Sequence, residues 1–121
     1  MLVRALHTRP DWRDALVRAK AVLDGLGWYP RPVRLEPVRV LHAPVVFRLP
    51  LMRGFDGYTS WNVILLRRDD LDEPLLIHEL CHVWQMQHHP IAMPLSYLRT
   101  GYGRNPNEEE ARRAASHRVD L

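Results

Sequence analysis

Leu75-Leu76-Ile77-His78-Glu79-Leu80-Cys81-His82-Val83-Trp84-Gln85 holds the most restrictive pattern in the 121-residue chain, two histidines four apart with a glutamate directly after the first. The surrounding residues predict a helix from Glu73 to His88 or His89. Asp72 stands at the N-cap, Glu73 and Pro74 suit the first turn, and Pro90 stops the run. Helical positions four apart share one face with Cβ atoms roughly 6 Å apart, so both imidazoles can reach one ion at about 2.0–2.1 Å. At roughly 100° per residue, Leu76, Ile77, Leu80, Cys81, Val83 and Trp84 fall on the opposite side. The helix therefore offers one face to a core and the other to a site. Glu79, about 100° around from His78, is placed to reach a water on the shared ion rather than to bind the ion, as a general base requires.

Two histidines leave such a site one protein ligand short of the usual three. His88 follows His82 by six residues, a spacing that closes a metal site where a glycine turns the chain out of the helix; here that position is Gln85. His89 shares the ligand face but lies about 10 Å further along the axis from His82, at 1.5 Å per residue. Both read as surface or outer residues. The better candidate lies in Asn105-Pro106-Asn107-Glu108-Glu109-Glu110-Ala111-Arg112-Arg113-Ala114-Ala115, where Asn107 and Glu110 have the spacing of a capping box that opens a final helix. The helix dipole alone favours acidic residues in a first turn. Ala111, Ala115 and Val119, however, define a small-residue face suited to packing on another helix, and of the three glutamates Glu108 projects into it. The expected metal ligands are His78, His82 and Glu108.

These residues resemble the gluzincin metallopeptidases, particularly their smallest single-domain members, the minigluzincins. In that family an H-E-x-x-H helix is followed by a second helix bearing a glutamate ligand, commonly with a small residue three positions later. His78, Glu79 and His82 match the first motif, and Glu108 with Ala111 matches the second. The stretch from Tyr58 to Leu66 looks like the family's substrate-lining edge strand. The resemblance spans roughly Gly57 to Ala115, and the amino-terminal half has no motif to add. It implies an α+β, zincin-like fold: a small mixed sheet packed on an N-terminal helix, the H-E-x-x-H helix and a C-terminal glutamate helix, with the cleft beside the edge strand. It also implies Zn²⁺ as cofactor and peptide-bond hydrolysis, with Glu79 taking a proton from zinc-activated water and passing it to the leaving amine. Thr59, Ser60 and Asn62 would keep the edge polar, so that an extended peptide or protein substrate is held by main-chain hydrogen bonds. A side-chain donor to the tetrahedral intermediate is implied as well. Tyr102, six residues before Glu108, is the first choice, with His117 and Tyr97 as alternatives.

Outside the motifs, Trp12, Ala15, Leu16, Ala19, Val22, Leu23 and Leu26 recur at helical spacing between Pro10 and Gly27, with Thr8 or Asp11 as cap. Alternations at Val33/Leu35 and Val38/Val40, then Val45-Val46-Phe47, suggest two strands, kept from a sheet interior by Pro37 and Pro44. Gly54 to Gly57 reads as a turn, Tyr58 to Leu66 as the best strand, and Pro94 to Arg99 as a short helix. Cys81, Trp84 and Met86 are explained by packing.

The length and an apolar share of 46% fit one domain, residues 1–121, with its own core. Met1 to His7 lacks the apolar run of a secretory signal and no later run is long enough to span a membrane, so a cytoplasmic protein without membrane contact is expected. The lone Cys81 excludes an intrachain disulfide and a cysteine-rich metal cluster. The net charge of +3 comes from scattered arginines, Lys20 being the only lysine, which argues against a nucleic-acid footprint. A peptidase therefore ranks ahead of a zinc-binding regulatory or interaction module, and both rank ahead of a nucleic-acid-associated protein suggested by the sequence pI near 9.5.

Overall fold

The computed structural model describes residues 9–117. Helix α1, Pro10–Leu26, opens on a proline, whose missing N–H is harmless in a first turn, and closes on Gly27 at φ 64°, the left-handed geometry that glycine adopts without strain. Trp12, Ala15, Leu16, Ala19 and Leu23 form its buried stripe, with Val22 and Leu26 packed against the same core. Asp11 does not cap it: the N-cap is Arg9, and Asp11 instead pairs with the Arg9 guanidinium at 2.7 Å. Thr8, the other predicted cap, and Val119 lie outside the described residues.

Three short strands follow, β1 (Arg39–His42), β2 (Gly57–Ser60) and β3 (Val63–Leu66), in the order β1-β3-β2. β3 runs parallel to β1 and antiparallel to β2, so the sheet is mixed, and β1 is an edge as the neighbouring prolines require. The first predicted strand is reduced to Arg39–His42, with Val33, Leu35 and Val38 in no strand, and the second is absent. Val45-Val46-Phe47 instead enters a 3₁₀ turn, Val46–Arg48, held by bonds such as Phe47 N–H to Pro44 O at 3.2 Å. Phe47 alone of the three is buried, so the segment gains little from alternation and satisfies its backbone locally.

The nine residues from Tyr58 to Leu66 do not form one strand either. They fold into a hairpin that turns at Trp61-Asn62, with Ser60 opposite Val63 and Thr59 opposite Ile64. Trp61 adopts φ 52°, an uncommon conformation for a bulky residue. Tertiary contacts hold it there: its backbone N–H lies 3.1 Å from Met86 Sδ and its indole N–H donates to Pro90 O at 3.0 Å. Nothing in a tryptophan's own preferences announces such a turn.

Helix α2, Glu73–His88, begins as expected, with Asp72 Oδ1 accepting from Leu75 N–H at 3.0 Å, a cap that stabilises by about 1 kcal/mol. Helix α3, Ala92–Thr100, is slightly longer than the predicted Pro94–Arg99. Helix α4, Pro106–Ser116, is capped by Asn105 rather than Asn107. Pro106 suits the first helical position, and the Asn105 side chain, fully buried, accepts from Asn107 N–H at 2.8 Å while donating to Ser96 and Thr100.

Leu16 and Leu23 of α1, Val40 and Ile64 of the sheet, Leu80 and Val83 of α2 and Ala111 and Ala114 of α4 meet in one core. Each fully buried aliphatic side chain contributes roughly 1.5–3 kcal/mol, which places α2 at the centre of the molecule. The result is a small α+β architecture with four α-helices and a three-stranded mixed sheet among the described residues. None of its helices is long and apolar enough to cross a membrane.

Candidate metal centre

α2 is enclosed on more sides than its apolar stripe predicts. Leu76, Ile77, Leu80, Cys81, Val83 and Trp84 are buried as expected, but so are Glu79, His82 and Gln85. The second enclosing face comes from α4, where Ala111 and Ala114 lack the bulk to hold the helices apart. The small-residue face runs through Glu108, Ala111 and Ala114; Ala115 is turned partly outward. This packing sets Glu108, 1% exposed, against the two histidines. His78 Nε2 lies 2.5 Å from Glu108 Oε1, and His82 Nε2 lies 3.0 Å from Glu108 Oε2. Glu109 is exposed, while Glu110 turns to the Tyr29 hydroxyl at 2.6 Å.

One donor atom from each of His78, His82 and Glu108 lies within 4.8 Å of the others, so the three could hold a metal ion. Ligands about 2.0–2.1 Å from a tetrahedral ion stand about 3.3 Å apart, so the 3.0 Å His82 separation is near that spacing, while the 2.5 Å His78 contact is a direct hydrogen bond that must lengthen to admit an ion. Electrostatics points the same way. Gln85 spends its amide protons on Asn107 O at 2.9 Å and Glu110 Oε1 at 3.1 Å, so its Oε1 faces His82 Nδ1 at 2.8 Å as an acceptor. His82 Nδ1 therefore carries a proton, and Nε2 confronts the Glu108 carboxylate. A lone pair facing a carboxylate requires a cation between them, either a proton or a metal.

Burial pushes the Glu108 carboxyl up, but hydrogen bonds from His78 and His82 outweigh it and hold the group well below the usual carboxylate range. Burial alone would push the His82 imidazole down, yet the Glu108 hydrogen bond and the Glu79 charge raise it. Glu108 is further tied by two phenols: Tyr102 donates to Oε1 at 2.9 Å and Tyr97 to Oε2 at 3.1 Å. Burial and the Glu108 charge push both hydroxyls up, so they remain protonated donors.

Glu79 is 3% exposed and faces β2. The Thr59 hydroxyl donates to its Oε1 at 2.7 Å and lies 3.1 Å from its carbonyl oxygen. Gly57 permits this approach, since a Cβ there would stand 3.1 Å from Glu79 Cγ and 3.2 Å from its carboxyl carbon. Burial raises the Glu79 carboxyl pKa, opposed by His82, His78 and the Thr59 hydrogen bond. Glu79, His82, Tyr97, Tyr102 and Glu108 line one cavity of about 390 Å³, walled by Trp61, Met86 and Met93. A larger groove of about 810 Å³ lies between α1 and the start of α2, lined by Ala15, Ala19, Val22 and Ile77, away from these groups.

The predicted residues thus separate cleanly. His78, Glu79, His82, Glu108, Tyr97 and Tyr102 come together, whereas His117 lines the distant groove and meets Trp28 edge-on at 6.1 Å. His88 and His89 lie beside Tyr29. Of the predicted polar edge residues, Thr59 turns inward to Glu79, and Asn62 sits in the hairpin turn with its Oδ1 accepting from Gln87. Gln85 and Gly57 are the residues that sequence reasoning missed. Gln85 had a visible signal, a polar residue within the buried Leu80–Met86 run and three positions after His82. Gly57 had none, because its role depends on an approach between a strand and a helix. No protein-family model matches the chain, and comparisons with curated proteins and with solved structures find no match either.

Proposed function

We propose that the chain is a zinc-dependent metallopeptidase of zincin-like fold, with His78, His82 and Glu108 as metal ligands and Glu79 as general base. The observation that carries this reading is a two-histidine, one-carboxylate donor set, two of whose members, His82 and Glu108, line one cavity together with a separate buried carboxylate, Glu79. The donor chemistry, two imidazoles and one carboxylate, suits zinc with a position left for substrate or water. Bound zinc supplies Lewis acidity toward a water and a carbonyl oxygen.

The chain's own groups do the rest. Glu79, with its proton affinity raised by burial, accepts one proton from the attacking water. Thr59 holds one oxygen of Glu79, which keeps the carboxylate in place for that transfer. As the carbonyl carbon to nitrogen bond breaks, Glu79 returns the proton to the leaving amine, so the products are a carboxylic acid and an amine. Tyr102, partly exposed at the cavity rim, is the first choice of donor to the tetrahedral intermediate once its one hydroxyl proton turns from Glu108 Oε1, and Tyr97 on α3 offers a second hydroxyl on the same condition. The free edge of β2 can take an extended peptide by main-chain hydrogen bonds.

The test is a peptide-library digest by the zinc-loaded chain and its Glu79→Gln variant. Cleavage by the wild type that is lost in a variant retaining zinc supports the reading. Cleavage that persists without Glu79 overturns it, and zinc binding without turnover favours an interaction module instead.

A further inference from the structure

The second enclosing face of α2 holds more than the three candidate ligands. Gln85 is fully buried and all of its hydrogen-bonding capacity is directed. Its amide donates to the Asn107 carbonyl at 2.9 Å and to Glu110 Oε1 at 3.1 Å, and Glu110 Oε1 also accepts from the Tyr29 hydroxyl at 2.6 Å. Residues from three parts of the fold, the segment after α1, α2 and α4, thereby fix the rotation of one side-chain amide. The amide oxygen can point only at His82 Nδ1, 2.8 Å away.

We infer that Gln85, oriented by Glu110 and Tyr29, is a positioning residue that sets the His82 tautomer and ring plane so that Nε2 faces the ion. The inference rests on the metal-site reading. Its physical content is specific: an imidazole with Nδ1 as donor presents its lone pair at Nε2, and a ring fixed by a hydrogen bond loses less freedom on binding an ion. Burial adds to the effect, because a His82 Nδ1–H without an acceptor is left unsatisfied where water does not reach it. His78 has no such relay among the described residues and is only partly exposed, its side chain at 14%. The two histidines are therefore expected to respond differently when the relay is cut.

The experiment compares the full-length chain with Gln85→Leu and with the Gln85→Glu/Glu110→Gln pair. Zinc affinity is read by chelator competition and the donor set by the visible spectrum of the Co²⁺-loaded proteins. Gln85→Leu is expected to weaken zinc by about 10- to 100-fold and to change the Co²⁺ spectrum. The double variant returns an acceptor to His82 and reverses the contact between positions 85 and 110 but leaves the Asn107 carbonyl without its donor, so it is expected to recover the Co²⁺ spectrum and part of the affinity. A merely structural role would lower the melting temperature of Gln85→Leu and leave affinity and spectrum at the wild-type values, which overturns the inference while the metal site stands. A wild-type chain that binds neither zinc nor Co²⁺ overturns both.

Discussion

His78 and His82 lie midway along α2 and His88 and His89 at its end, one helix presenting two histidine pairs to different neighbours. The first pair meets a buried carboxylate from α4, with a proton fixed on the far side of His82. The second pair meets backbone and an aromatic ring. His88 Nδ1 lies 3.0 Å from Trp84 O, Arg31 N–H donates to His88 Nε2 at 3.2 Å, and the ring stacks on Tyr29 at 5.0 Å. Both nitrogens of His88 are engaged, and His89 stands in solvent. Histidine spacing alone does not make a ligand; the element packed opposite decides whether a nitrogen meets a carboxylate or a peptide group.

The contrast can be broken most sharply by activity. Glu79→Gln is expected to lower peptide hydrolysis by about 10²- to 10⁴-fold with zinc content unchanged, while His89→Ala leaves both unchanged. Equal losses in the two variants would erase the distinction. A smaller effect is expected from Gly57→Ala, whose new Cβ presses on Glu79 Cγ at 3.1 Å. Displacing the base by a few tenths of an ångström is expected to reduce turnover about tenfold while zinc affinity holds, as measured by steady-state kinetics beside chelator competition. At the other end of the helix, His88→Ala removes two hydrogen bonds and a stacked ring. Urea unfolding of the metal-free chain is expected to show a loss of about 1 kcal/mol, with zinc binding intact. Least of all is expected from Cys81, fully buried on the core side with its thiol pushed up by burial. Ellman's reagent is expected to label it only as fast as the chain unfolds, and prompt labelling would show that this side of α2 is open.

The carboxy-terminal half was legible because its signals are local and chemical. Asp72, Pro74 and Pro90 bound α2 from sequence alone, and helical geometry alone brings His78 and His82 to one face. Glu108 could be singled out because a small-residue face implied a packed helix, although that face passes through Ala114 rather than Ala115. The hairpin was not legible. Trp61 turns at a positive φ because Met86 and Pro90 hold it, and both belong to the far end of another helix and its exit. Val45 to Phe47 shows the same limit, for β-branched residues satisfied their backbone in a 3₁₀ turn between prolines. The tautomer of His82 depends on Gln85, Glu110 and Tyr29 together, a relation that no spacing rule contains.

Elemental metal analysis of the purified chain beside Glu108→Ala and His88→Ala tests the central claim most directly. The account predicts near-stoichiometric zinc in the wild type and in His88→Ala, and its loss in Glu108→Ala. Zinc that survives the loss of Glu108 but disappears with His88, or no metal in any sample under non-chelating conditions, would contradict it.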